Sequence, residues 1–156
     1  MSIVNRARRR VIISALSGVA VTALARRSAV AAPPEITVYR SDSCECCHHW
    51  IEYMRIHGFA VRDSVVDDLE PIKGRLGVPV HLRSCHTAVI DSFVIEGHVP
   101  AADVKRVLIE QPPARGLAVP GMPLGSPGME NPAGRHERFA VILFADGGRE
   151  RVFARY

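Results

Sequence analysis

From residue 36 onward, apolar and polar positions recur in short blocks that predict alternating strands and helices. Ile36-Thr37-Val38-Tyr39 has the two-residue period of a strand. Ser41-Asp42-Ser43 then offers side-chain oxygens for a helix N-cap just before Cys44. Over residues 47–57 the period lengthens: Trp50, Tyr53, Met54 and His57 share one helical stripe, and Gly58 supplies the stop. Phe59–Val66 is β-rich. Asp67 and Glu70 have the spacing of a capping box, opening a short helix with Leu69, Ile72 and Leu76 inward, Pro71 in its first turn and Gly77 beyond its end. Thr87–Ile90 and Phe93–Glu96, around Asp91-Ser92, predict a hairpin. Pro100 opens a last helix with Val104, Val107 and Leu108 inward, ended by Pro112-Pro113. Phe139–Phe144 and Arg151–Tyr156 flank Asp146-Gly147-Gly148 as a second hairpin.

The pattern is an α/β fold with a β-α-β-α-β-β-α core and a C-terminal β-hairpin. A helix that follows a strand-end cysteine cluster directly, inside a βαβ unit, points to a thioredoxin-like layout. Residues 111–135 carry six Pro and five Gly. That composition excludes a helix or a central strand there and predicts a long loop, a kind that is usually functional or disordered.

Residues 1–31 are different in kind. They contain Arg6, Arg8, Arg9, Arg10, Arg26 and Arg27 and no acidic residue, with a moderately apolar run from Val11 to Ala25. That run is shorter than the about 18 residues a membrane span requires. Ala29-Val30-Ala31 places small residues where a signal peptidase needs them. The expectation is a signal peptide over 1–31, cleaved after Ala31. Arg8-Arg9 resembles a twin-arginine export signal, with the general secretory route as the alternative. The mature chain, 32–156, is then a periplasmic protein with no stable membrane insertion.

Cleavage also reverses the charge. Of 20 basic residues six are lost, leaving 14 against 16 acidic, a net charge of −2. No basic patch remains to neutralise phosphates, which excludes nucleic acid as the expected partner. The destination is oxidising, so thiols there pair as disulfides unless a metal or a reductase holds them.

The chemistry is concentrated in sulfur. Cys44-Glu45-Cys46-Cys47 sets three thiols in four residues where a strand gives way to a helix, and backbone N–H groups there favour thiolate. Cys44 and Cys47 can converge on one centre, with Cys46 pointing elsewhere on the first turn. Cys85, the fourth thiol, precedes the strand Thr87–Ile90, with His86 beside it. In a thioredoxin-like layout that strand start faces the cysteine helix, and Ser84-Cys85-His86-Thr87 stands where such enzymes carry a cis-proline. Thiolates with imidazole select Cu(I) or zinc. Three closely spaced thiolates suit bridging between metal ions, which favours copper; zinc would use Cys44, Cys47, Cys85 and His86. Two readings without metal stand beside these. One is a disulfide staple, Cys44–Cys47 with Cys46–Cys85. The other is a thiol–disulfide oxidoreductase with Cys44 attacking and Cys47 resolving.

The remaining candidates rank lower. His48 and His49 follow the cluster, one toward solvent and the other able to ligate from the edge. His57 and His81 read as surface or helix-end residues, and His136 lies in a polar stretch. His98 sits at a strand-to-helix turn, with a turn role as strong as a metal role. Met122 and Met129, on the Pro/Gly loop, read first as an apolar lid and second as thioether ligands.

The combination CECCHHW, VVDDLEPIKGRLGVP, SCHTAVID, FVIEGHVPAADVKRVL, RGLAVPGMPLGSPGME and VFARY resembles the CopG-type periplasmic copper-resistance proteins from about residue 36 to 156. The resemblance implies a thioredoxin-like fold with a Cys-x-Cys-Cys motif holding a cysteine-bridged, multinuclear, redox-active copper cluster. Carried onto this chain, the metal ligands are Cys44, Cys46, Cys47 and Cys85, then His86, and at lower rank His98, Met122 and Met129. It also implies copper ions, and other periplasmic copper-handling proteins, as partners. Two positions depart from the family pattern: Glu45 replaces a small residue between the first two cysteines, and His48-His49 replaces a basic pair.

Overall fold

Strand β1 (Glu35–Arg40) lies inside a seven-stranded sheet whose order is β2-β1-β3-β4-β5-β6-β7. The computed structural model describes residues 32–156; the expected signal peptide, residues 1–31, lies outside the described residues. After β1 come helix α1 (Glu45–Ile56), strand β2 (Ala60–Val65), helix α2 (Glu70–Arg75) and a 3-10 turn at Val80–Leu82. The hairpin β3 (His86–Ile90) and β4 (Phe93–Glu96) leads to α3 (Ala101–Glu110), β5 (Gly116–Ala118), β6 (Ala140–Ala145) and β7 (Arg149–Arg155). β1 pairs with β2 in parallel, as a strand–helix–strand crossover requires, and with β3 antiparallel. The expected α/β class and the order of the first seven elements are those observed. Among the described residues no helix is long and apolar enough to cross a membrane.

Period-two alternation gives the sheet two different faces. Ile36, Val38, Ala88, Ile90, Phe93, Ile95, Leu117, Val141 and Leu143 point to one side. They pack there with Trp50, Ile51 and Met54 of α1 and Val104 and Val107 of α3. Val94, Ala118 and Phe144 point to the other, against Val78 and Leu82 in the segment after α2. Helices therefore cover both faces, and the cysteine-bearing helix sits on the first.

Three local expectations are corrected. α1 begins at Glu45 rather than 47, and its N-cap is Cys44, with no capping hydrogen bond from a side chain. Sulfur stands where Ser or Asp would stabilise the helix by about 1 kcal/mol. At α2 the cap is Leu69; Asp68, not Asp67, accepts from the Glu70 N–H at 2.9 Å. The expected inward stripe of α2 is only half-buried, and Lys73 is the buried residue of the helix.

The third correction lies in the Pro/Gly segment. β5 is a central strand, parallel to β4 and antiparallel to β6, inside residues 111–135. The average composition of that segment conceals Gly116-Leu117-Ala118-Val119, which is free of proline and entirely buried. Gly116 makes the pairing possible: a Cβ there would lie 1.9 Å from the Val94 carbonyl oxygen. From Pro120 to about residue 139 the chain forms the expected loop.

Candidate metal centre

The site begins where β1 ends. Arg40 is buried, and its guanidinium grips Asp63 of the neighbouring strand through two bonds of 2.9 and 2.7 Å. A third bond, 2.9 Å, goes to the Ser41 carbonyl. Such a fork fixes direction as well as distance, so the chain enters the cysteine turn at a set angle. Cys44 then caps α1, and the Sγ atoms of Cys44, Cys46, Cys47 and Cys85 all lie within 4.8 Å of one another. Cys44 and Cys47 form a disulfide with Cα atoms 5.3 Å apart, while Cys46 and Cys85 are free thiols. Cys46 does not point away, as the sequence suggested: its sulfur is 3.6 Å from that of Cys44 and 3.8 Å from that of Cys85.

Across from the helix, Cys85 immediately precedes β3 and lies beside two buried imidazoles. His86 Nδ1 lies 3.3 Å and His98 Nε2 3.1 Å from Cys85 Sγ. His98 Nδ1 is 2.7 Å from the Pro127 carbonyl oxygen. A carbonyl only accepts, so Nδ1 carries the proton and Nε2 presents its lone pair to Cys85, the form a metal ligand needs. His86 packs against Trp50, with ring centroids 4.5 Å apart, and Trp50 donates its indole N–H to the Val99 carbonyl at 3.0 Å. His86 Nε2 is buried without a hydrogen-bond partner. An orphaned buried nitrogen of this kind signals a missing ligand or a strained contact.

Electrostatics keep these groups neutral. Burial first, then the unfavourable proximity of a second imidazole, His98, and of the Lys73 ammonium, holds His86 well below the usual histidine range. Burial does the same for His98, against the opposing pull of its bond to Pro127. Burial, and then the charge of Cys46, push the Cys85 thiol up to about 12. Cys85 therefore holds its proton until a cation displaces it, and neutral imidazoles stand ready beside it.

The Pro/Gly loop closes the site. Gly128 (φ +83°) lies so close to α1 that a Cβ would sit 2.7 Å from the Trp50 nitrogen and 2.9 Å from the Cys46 carbonyl oxygen. Ser84 Oγ donates to the Gly121 carbonyl, tying the loop to the Cys85 turn. Met122 reaches the cluster edge: its Sδ is 3.8 Å from Cys46 Sγ, and half of the residue is exposed. Met129 is held in the loop by backbone bonds to Ser126 and Gly125, and of the two methionines it is Met122 that is brought to the thiols.

Two solved structures of copper resistance protein CopG, Form 2 and Form 1, share this architecture. Each is 46% identical to this chain, over 80% of it and 98% of the solved chain, with TM-scores of 0.76 and 0.75. The chain belongs to the CopG copper-resistance family. The family model described as a protein of unknown function, DUF411, matches residues 82–129, a span that includes Cys85, His86, His98 and Met122. No curated protein sequence matches.

Membership of the CopG family, together with four clustered cysteines, fits copper binding. The donor set fits as well, since sulfur with imidazole is the combination that soft Cu(I) prefers. Two assignments shift within that frame. His98 joins Cys85 and His86 in a second group of convergent donors, so it faces the centre and is more than a turn residue. His48 and His49 are both exposed and belong to neither group. The supports escaped sequence reading altogether: Arg40 with Asp63, and Lys73 with Glu96, are charged residues on otherwise ordinary elements. Lys73, between Ile72 and Gly74, and Glu96, between Ile95 and Gly97, are at least isolated charges, whereas Arg40 and Asp63 lie among polar neighbours that give no signal.

Proposed function

We propose that the mature chain is an exported, periplasmic copper-holding protein of copper homeostasis, with more than one copper in a sulfur-bridged cluster. The carrying observation is that Cys85 is shared between two donor groups, Cys44-Cys46-Cys47-Cys85 and Cys85-His86-His98. One thiolate common to an all-sulfur set and a sulfur–nitrogen set is the arrangement a bridging ligand occupies. Cys44, Cys46, Cys47, Cys85, His86 and His98 would hold the metal, with Met122 at its exposed edge. Copper, when bound, supplies a one-electron Cu(I)/Cu(II) couple. Zinc, the alternative metal, supplies none. Cys44 and Cys47 can join only as thiolates, so loading requires a two-electron reduction of their disulfide. The test is an anaerobic Cu(I) titration of the reduced mature chain. The expected result is more than one copper per chain and a marked loss on Cys85→Ser; a ratio below one, or no loss in that variant, refutes the reading. For export, fractionation of producing cells should recover a chain beginning at Ala32 from the periplasm.

One observation favours a second reading. The disulfide joins half-buried Cys44, at the N-cap, to fully buried Cys47. An accessible attacking thiol with a protected resolving thiol is what thiol–disulfide exchange uses. That reading requires metal-free protein to catalyse disulfide reduction, and to keep doing so after Cys46→Ser and Cys85→Ser.

A further inference from the structure

A second buried polar group lies behind the sulfurs, on the opposite face of the sheet. Successive side chains of β3 point to opposite faces. His86 accordingly meets Trp50 of α1, and Thr87 meets Lys73 of α2. Lys73 Nζ is 2.6 Å from Glu96 Oε1, with 3% and 0% of the two side chains exposed. The same Oε1 accepts from the Ser84 backbone N–H at 2.6 Å, and Oε2 accepts from the Thr87 hydroxyl at 2.7 Å. Lys73 donates to that hydroxyl as well, at 2.8 Å. Just beyond β4, the Gly97 N–H donates to the His86 carbonyl at 3.0 Å, and His98 meets the Cys85 sulfur. Three consecutive residues, Glu96 to His98, thus hold Lys73 and the four-residue run from Ser84 to Thr87.

Stability does not account for this pair. Desolvating two charges offsets most of what their attraction returns, and apolar side chains of similar volume commonly serve as well or better. What only the carboxylate offers is direction. It accepts hydrogen bonds on both sides of Cys85-His86, where the chain from Arg83 to Cys85 belongs to neither helix nor strand. We propose that Glu96, neutralised by Lys73, is a positioning residue that aims Cys85 and His86 at the cysteine helix. Its purpose rests on the copper reading; the positioning itself can be tested without metal.

The test uses the metal-free mature chain carrying Cys44→Ser and Cys47→Ser, so that Cys46 and Cys85 are its only thiols among the described residues. Diamide oxidises the two to a disulfide: the thiols give up two electrons and two protons as the S–S bond forms, and the diazene becomes the hydrazine. The rate reports how well Cys85 is aimed. Lys73→Met with Glu96→Leu keeps the volume and removes the direction. It should fold, as judged by circular dichroism and urea unfolding, yet slow the cross-link about tenfold or more. Lys73→Met with Glu96→Gln keeps an acceptor for Ser84 and a partner for Thr87, and should stay within about twofold of the parent. A parental rate in the Met/Leu variant overturns the proposal. Should that variant fail to fold, Thr87→Val removes one prong alone; about threefold slowing supports the proposal and an unchanged rate overturns it. In the four-cysteine chain the Met/Leu pair should also lower Cu(I) stoichiometry. Slowed cross-linking in chains that never bind copper would refute the copper reading and leave the positioning role standing.

Discussion

Two glycines on the Pro/Gly loop isolate what the loop does for the site. Gly128 (φ +83°) and Gly134 (φ +68°) both have left-handed backbones, so alanine at either position incurs the same conformational penalty, about 1–2 kcal/mol. They differ in surroundings. A Cβ on Gly134 meets nothing within 4 Å, whereas one on Gly128 would lie 2.7 Å from the Trp50 nitrogen and 2.9 Å from the Cys46 carbonyl oxygen. Both obstacles are helix backbone and cannot swing aside, so the loop must lift from α1. Overpacking of this kind typically adds about 1–3 kcal/mol. Gly134→Ala should therefore lower stability by about 1–2 kcal/mol and Gly128→Ala by about 2–5 kcal/mol, measured by urea unfolding of the metal-free chain. Lifting the loop also removes the Pro127 carbonyl from His98 and Met122 from Cys46, so Gly128→Ala alone should weaken Cu(I) binding. Equal losses of stability in the two variants would refute the seating of this loop on the cysteine helix.

Two further outcomes follow from the buried groups. His86 and His98 have depressed pKa values, so between those values and the unfolded histidine value of about 6.5 the unfolded chain binds more protons. Stability is then fully present above about pH 6.5 and falls as pH drops below it, by at most about 1.4 kcal/mol per pH unit for each histidine. Urea unfolding from about pH 8 to about pH 5 should show this fall, reduced in His98→Gln; a flat profile contradicts the burial of both rings. Trp50→Phe should cost about 1–3 kcal/mol for the unpaired Val99 carbonyl alone, and should weaken Cu(I) binding because His86 loses its brace; thermal unfolding and competitive Cu(I) titration check the two parts.

Much of the fold was legible because it rests on local periodicity. The hairpin around Asp91-Ser92, the helix opened by Pro100 and the C-terminal hairpin all lie within a residue or two of their expected bounds. β5 was hidden because composition over 25 residues masks a four-residue window whose pairing depends on one missing Cβ. The sulfurs were legible as a group, but their mutual aim was not. Cys46 turns toward Cys85 because the helix starts two residues early, and His98 turns inward because Pro127, distant in sequence, takes its other nitrogen. Arg40–Asp63 and Lys73–Glu96 are products of strand register and helix rotation, which no single residue announces.

Copper-edge X-ray absorption of the reduced, Cu(I)-loaded mature chain, compared with Cys85→Ser, examines the shared thiolate directly. The expected spectrum has a sulfur-dominated first shell with a nitrogen contribution and scattering between neighbouring coppers that weakens in the variant. A first shell of nitrogen and oxygen, or an isolated metal ion unaffected by the loss of Cys85, would contradict it.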